Sequence, residues 1–414
     1  MSSLIRTGSL QPLQHKEFRY FIIARFFLIM GLMMVGTVAG YKLFQLTHSS
    51  FSIGIAGLSE FVPVFCLALY AGHIIDKSDK RTLLIRGILL YAVCVVALII
   101  ITSSWFENTV HPKSPQLFFY MVIFFTGAIR AFTGPATNAI LSQLVPRNIL
   151  HFAANLSSST WLAASIMGHA SAGFFIYWFG VHNTYYIILA YILFAAAMIS
   201  VIKKKPVVYN AKGVKTWESM KEGLRFVFSN KIMLGAISLD LFAVLFGGVK
   251  ALIPEYNEFI LKGGPQGFGL LNAAIDIGSV IIITLFTLRP MRKRQGYNLM
   301  YAVAGFGICI VVFGLSKLYW LSFFALVIAG MCDGISVMIR GTILQLTTPD
   351  EMRGRVSSVN SMFINSSNEL GQFESGFMAR ALGTVPSVVF GGAMTLLVVI
   401  VTWIKAPSLR KFEY

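Results

Sequence analysis

Twelve long apolar stretches, six on each side of one basic linker, constrain this chain more than any other feature. They lie at 20–43, 52–75, 82–104, 117–143, 152–177 and 183–203, then at 232–258, 267–289, 297–316, 319–346, 355–382 and 384–405. Each fits the roughly 20 apolar residues that a bilayer-spanning helix needs. With 56% of residues hydrophobic and only 12% charged, a water-soluble fold of this size would precipitate. A spanning helix satisfies its own backbone hydrogen bonds, so any chemistry must come from side chains inside the bundle. The sequence therefore predicts an all-α membrane protein with 12 transmembrane helices. These form two pseudo-symmetric six-helix bundles, 1–203 and 232–414, joined by a cytoplasmic linker at 204–231.

The net charge of +17 would suggest nucleic acid on a soluble chain. Here the basic residues sort by loop. One set holds Arg6, Lys16, Arg19, Lys77, Lys80, Arg81, Arg86, Arg147, the 203–231 cluster, Arg289 to Arg294, Arg353, Arg355, Lys405, Arg410 and Lys411. The opposite loops hold Lys113, Lys262, Lys317 and Arg380. The positive-inside rule then puts both termini in the cytoplasm. No nucleic-acid partner is expected. Cys66, Cys94, Cys309 and Cys332 all fall within spans without metal-ligand spacing, so neither a disulfide framework nor a metal site is expected. In the linker, Trp217, Met220, Leu224 and Val227 recur at helical spacing against Glu218, Lys221 and Glu222, which predicts an amphipathic helix at the cytoplasmic face.

The halves read as repeats. A shift of 203 sets Gly127 to Arg130 of span 4 on Gly330 to Asp333 of span 10, and Pro146 on Pro349. The same shift sets Gly168-His169 and Gly173 of span 5 on Gly371-Gln372 and Gly376 of span 11. Duplicated bundles of this kind place their ligand site where the repeats meet, near mid-membrane.

Between spans 2 and 3 stands Gly72-His73-Ile74-Ile75-Asp76-Lys77-Ser78-Asp79-Lys80-Arg81. This loop resembles the cytoplasmic signature of the major facilitator superfamily. Arg130 to Gly134 resembles its fourth-span motif. A narrower likeness, to the branch of enterobactin and macrolide exporters, rests on Gly57 to Pro63, Leu344 to Val356 and Ser367 to Gly371. The resemblance implies that spans 1, 4, 7 and 10 line a central cavity. It also implies that Gly72, Asp76, Lys77, Lys80 and Arg81 form a gating latch favouring one access state. Two departures stand out. His169 occupies the usual place of a fifth-span proline, and the second-half copy of the loop is degraded to Leu288-Arg289-Pro290-Met291-Arg292-Lys293-Arg294.

Ionisable groups at membrane depth are costly, so they face partners or water. The central set is Arg25, Arg130, His169, Asp240, Lys250, Asp333, Arg340, Asn368 and Glu369; the outer-half set is Glu60, Asp276 and Glu374. Asp333 and Arg340 share one face of span 10, about 10 Å apart along its axis. Arg130 is the repeat counterpart of Asp333, and a contact between the two is expected. Ser361, Asn365, Asn368, Glu369 and Gln372 form one polar stripe along span 11. Ser165, one turn before His169, is a candidate partner for it. All these charges have two readings: a salt-bridge network that fixes helix register, or substrate and proton chemistry.

The expected function is secondary transport without a cofactor: proton-coupled export of a small amphipathic or siderophore-like molecule across the bacterial inner membrane. The working unit is a monomer, with membrane lipids as its surroundings. Import or lipid flipping by the same fold is an alternative. A sensor or assembly partner that transports nothing is another. The chain shows no Walker loop, no HExxH and no nucleophile triad, so no enzyme is expected.

Overall fold

The computed structural model describes residues 10–109, 114–205, 216–289, 291, 293–349 and 352–413. The long helices are α1 (Lys16–Thr47), α2 (Ser50–Lys77), α3 (Lys80–Ile101), α4 (Ser114–Leu144) and α5 (Leu150–Ser200). After the linker helix α6 (Thr216–Ser229) come α7 (Lys231–Gly247), α8 (Gly264–Leu288), α9 (Gln295–Leu315), α10 (Tyr319–Thr347), α11 (Arg353–Leu382) and α12 (Thr384–Lys405). Among the described residues there is no strand. Among the same residues, ten helical stretches are long and apolar enough to cross a bilayer. One of them, 147–200, contains two of the expected spans. The twelfth span, α11, falls outside those ten because it carries the polar stripe.

At 1.5 Å per residue α5 would run about 76 Å, more than twice the thickness of a bilayer core. Gly180 breaks it, with φ 77° and ψ 168°. That region of backbone space is open essentially to glycine alone. The second half repeats the device: Gly383, 203 residues later, has φ 90° and ψ 161° and separates α11 from α12. The two turns sit at the register that relates Gly127 to Gly330.

Helix packing repeats as well. A Cβ on Gly168 of α5 would lie 2.7 Å from the Met30 carbonyl oxygen of α1. A Cβ on Gly371 of α11 would lie 2.8 Å from the Val244 carbonyl oxygen of α7. In each half the fifth span thus approaches the backbone of the first through a glycine at the same repeat position.

By packing, the chain divides into two compact units. The first is Met1–Lys42 with Val62–Gly213; the second is Leu43–Phe61 with Val214–Tyr414. In the first, α3 packs against α4 and α5. In the second, α9 lies against α10 and α12, α8 against α10, and α11 against α7, α12 and α6. Its core gathers Leu239, Ala243, Leu299, Val303, Ile339 and Ile343.

The second unit also holds the Ser50 end of α2. The Ser50 N–H and hydroxyl both donate to Glu255, the N–H at 3.3 Å. The Phe51 ring lies 6.0 Å from that of Phe373 and beneath the Arg380 guanidinium, 5.1 Å away.

The linker helix α6 is a packed element of the second unit. Leu224, Phe226 and Val227 join Met233, Ile237, Val356 and Val359 in one apolar cluster. Gly223 sits against the Arg355 backbone, with room for no more than a hydrogen, and Arg355 pairs with Glu222. The side chains of Trp217, Glu218 and Met220 lie outside the described residues.

Span 7 departs from the expected continuous helix 232–258. It ends at Gly247, then continues as a 3₁₀ turn (Lys250–Leu252), a helical turn (Ile253–Tyr256) and a π turn (Asn257–Leu261). The polar backbone freed by the break is satisfied by side chains. The Ser375 hydroxyl donates to the Gly248 carbonyl, and Thr395 Oγ1 donates to the Ala243 carbonyl at 3.2 Å. Without such partners an irregular backbone at membrane depth is too costly to persist.

If the two glycine turns are compulsory, Gly180→Ala and Gly383→Ala each destabilise the protein by about 1–3 kcal/mol through backbone strain. No atom lies within 4 Å of a Cβ at Gly180, so crowding plays no part there. Gly134→Ala, at an open position inside α4, is neutral or slightly stabilising. Thermal unfolding of the three purified variants in detergent checks the contrast.

Candidate functional site

The densest group of buried charges lies in the second unit. Asp240 of α7 pairs with Arg340 of α10, and both are buried. Arg340 Nε donates to Ser336 Oγ at 3.1 Å, one turn back on α10. Arg340 is thus held by an acid on a neighbouring helix and a hydroxyl on its own. Asp333 is within electrostatic reach of Arg340, Lys250 and Asp276, and itself acts on Asp240. These five residues carry three negative and two positive formal charges. Lys250 lies beyond the break in span 7, at the start of the 3₁₀ turn, and is exposed.

Glu369 of α11 is buried and accepts from Gln372 Nε2 at 2.8 Å. Its Oε2 packs over Gly57 of α2, 3.4 Å from where a Cβ would stand. Asn368, its neighbour in the stripe, is exposed and turns its amide back to the Ile364 carbonyl of its own helix at 2.9 Å. Glu374 has one oxygen 3.5 Å from Ser375 Oγ, while Oε1 is buried without a hydrogen bond. Glu60 and Asp276 are half-buried on α2 and α8, and both are engaged by other groups.

Sequence reasoning missed Glu255. It lies in the expected span 232–258 but was absent from the set of buried charges. Its carboxylate accepts from Ser50 of α2 and from Thr384 at the start of α12, so it ties three elements together. Its only signal is its place after Pro254 in an otherwise apolar run.

In the first unit His169 is buried, and its Nδ1 shares a 2.7 Å hydrogen bond with Thr37 Oγ1 of α1. Thr37 is a partner the sequence did not suggest, because it lies 132 residues away. Arg25 of α1 donates its Nε to the Ser157 carbonyl of α5 at 3.2 Å. Arg130 is half-buried on α4 and has a partner.

The loop between α2 and α3 is a corner made of helix caps. Asp79 caps the start of α3, accepting from the Arg81 and Thr82 N–H groups at 3.3 and 3.2 Å. Lys80 is buried and donates to the Ile75 and Ser78 carbonyls at the end of α2. Arg81 reaches the Ser200 carbonyl at the end of α5. Cations at helix C-termini also meet a favourable dipole. Lys77 is exposed, while Gly72 and the side chain of Asp76 lie outside the described residues.

Partial burial pushes the Asp79 carboxyl up. The Thr82 hydroxyl, the two backbone N–H groups and the Arg81 charge outweigh that and hold it below its usual value.

Among the described residues no group of His, Cys, Asp and Glu is placed to hold a metal, and all four cysteines are free.

Known structures share this fold. The nucleoside transporter NupG aligns over 96% of this chain and 100% of its own at a TM-score of 0.73 and 13% identity. A D-xylose-proton symporter aligns over 96% of this chain and 99% of its own at a TM-score of 0.74 and 12% identity. The fold is therefore the one these transporters share. The model of the family described as transmembrane secretion effector matches residues 7–414, and the chain belongs to that family. It is also 22% identical to the enterobactin exporter EntS of Escherichia coli O81 (strain ED1a), over 96% of this chain and 94% of the relative. The same identity and coverage hold for EntS of Escherichia coli O157:H7 (strain EC4115 / EHEC).

Two measurements probe the site and the corner. Removing one partner of a buried ion pair costs about 3–5 kcal/mol, because the other charge is left uncompensated. Arg340→Met therefore lowers the unfolding temperature sharply, and adding Asp240→Asn to it restores much of the loss. A double-mutant cycle by thermal unfolding reads that coupling. Asp79→Ala removes a helix cap and costs about 1 kcal/mol at neutral pH. Because the folded-state carboxyl titrates lower than the unfolded one, its contribution is complete above the ordinary carboxylate range. It fades as pH falls through the lowered value. The gap between parent and variant consequently narrows in acid, as unfolding curves across a pH series will report.

Proposed function

We propose that the protein exports a small amphipathic or siderophore-like molecule by alternating access, driven by protons moving inward. The observation that carries this reading is the buried Asp240–Arg340 pair with Asp333 beside it. Protonating either acid weakens its hold on Arg340 and changes which charges remain exposed. A ligand or proton that interacts differently with two conformations shifts their populations by that difference. Glu369, buried on α11 and hydrogen-bonded by Gln372, is a second proton carrier in the scheme. His169 is a third titratable group at depth. Contact between Arg130 and Asp333 would let the two halves exchange partners as access alternates.

The export direction is supported by the secretion family and by the exporter relatives, at 22% identity. Because those relatives are enterobactin exporters, enterobactin is the first probe to use. In this scheme the bundles 1–203 and 232–414 rock about a midplane site, and the loop from Gly72 to Arg81 favours one access state. The alternate-loop placement of Lys and Arg supports both termini facing the cytoplasm of a bacterial inner membrane. The working unit is a monomer.

Proteoliposomes with an imposed pH gradient test the scheme, using enterobactin as the probe. The parent accumulates the probe against its gradient only when the pH difference is present. Asp240→Asn, Asp333→Asn or Glu369→Gln abolishes that drive while leaving exchange of labelled for unlabelled probe across the membrane. If all three variants pump with the parent's pH dependence, the carboxylates are structural and the coupling scheme fails. If the parent moves no probe in either mode, the siderophore reading fails.

A further inference from the structure

Outside the buried charge cluster, the first unit carries a cleft of about 410 Å³ between α1 and α5, open along one side. Ile22, Ile23 and Phe26 form one wall, and Leu156, Thr160 and Ala163 the other. Thr160 spends its hydroxyl on the Leu156 carbonyl at 2.8 Å, so the surface it presents is largely its methyl. The volume falls in the range of about 300–1,000 Å³ typical of ligand sites. A cleft so apolar, open on the flank of a spanning bundle, suits a hydrocarbon chain and not a hydrated solute.

Two arginines of α1 lie close to it along the helix. Arg19, Ile22, Ile23 and Phe26 follow one another at helical spacing, so exposed Arg19 stands on the cleft face at the Lys16 end of α1. Arg25 follows Ile22 by three residues and borders the same face. Its Nε rests on the Ser157 carbonyl, next to Leu156 in the far wall. Among the described residues its two Nη groups have no hydrogen-bond or ion-pair partner, and neither is sealed from the surface. The Arg19 guanidinium likewise has no protein partner among them.

An arginine does not deprotonate in proteins. Arg25 lies nine residues, about 13 Å, along the helix from Lys16. A permanent charge at that depth without an acid beside it calls for water or an anion, and an apolar cleft favours the anion of a lipid. Basic pockets between spanning helices near one membrane face capture phospholipid headgroups in this way.

We propose that this cleft is a binding site for an anionic phospholipid. One acyl chain lies between α1 and α5, and the phosphate sits between Arg19 and Arg25. The site assigns Arg25 to lipid, where the sequence had placed it among the transport residues.

Native mass spectrometry of the delipidated full-length protein tests it. The probes are dioleoylphosphatidylglycerol, zwitterionic dioleoylphosphatidylcholine and inorganic phosphate. The parent retains the anionic lipid over the zwitterionic one by about fivefold, the ratio that one nearby cation supplies at roughly 1 kcal/mol. Arg25→Lys keeps that preference and Arg25→Gln loses it. Ala163→Trp, which fills the cleft from an exposed position, loses the bound lipid altogether. Should Arg25→Gln fail to fold, the lysine and tryptophan variants still decide the matter. Equal retention of the two lipids by the parent overturns the proposal, as does undiminished retention in Ala163→Trp. Inorganic phosphate stabilising the parent against heat as well as the anionic lipid does would show a free-anion site, and would overturn it too. None of these readings depends on what the protein transports.

Discussion

Every polar group at membrane depth in this protein must find its partner within the protein or in a ligand, since hydrocarbon offers none. The structure is organised by that constraint. Where span 7 breaks after Gly247, hydroxyls from α11 and α12 take up the work of helical hydrogen bonds. Further along the same broken span, the Tyr256 hydroxyl reaches the Gly314 and Ser316 carbonyls at 2.9 and 2.7 Å, fastening it to the end of α9. The break is affordable because α11 is polar, and Ser375 of α11 in turn spends its hydroxyl on the broken span. Neither helix makes sense without the other.

The same constraint separates two kinds of buried charge. Asp240 and Arg340 answer each other across α7 and α10, and Ser336 completes the arginine's shell. Such a pair is a poor source of stability, because desolvating both ions offsets most of their attraction. A hydrophobic pair of the same volume would hold the helices together as well. What a charged pair adds is sensitivity: it responds to a proton or a competing ion, and an aliphatic contact does not. That sensitivity is what a coupling site would need and what a packing contact lacks.

The spans were legible in the sequence because hydropathy integrates over some 20 residues and tolerates local noise. Apart from span 7, which stops at Gly247, the helix boundaries follow the expected ones within a few residues, from Lys16–Thr47 to Thr384–Lys405. The polar stripe of span 11 was legible for the same periodic reason. Partnerships were not. Asp240 and Arg340 lie 100 residues apart, and nothing in one strand of sequence says which helices touch. Asn368 shows the limit of periodicity: it sits on the stripe yet hydrogen-bonds its own backbone, an option that every helical asparagine has. Glu255 was overlooked because a lone acid near the end of an apolar run looks like the end of the run.

The two halves differ in an orderly way. What the duplication keeps is backbone geometry: the positive-φ turns at Gly180 and Gly383, and the close approaches at Gly168 and Gly371. These positions have one chemical solution, because any side chain would strain the turn or push two helices apart. What it changes is the chemistry carried beside them. Arg130 stands opposite Asp333 in register, and His169 opposite Gln372. One half therefore presents cations and an imidazole where the other presents acids and amides. A duplicated bundle with identical charges in both halves would bring like charges together wherever the repeats meet, and at low dielectric that repulsion is severe. Divergence in sign at fixed backbone positions removes the repulsion while leaving the helix framework untouched.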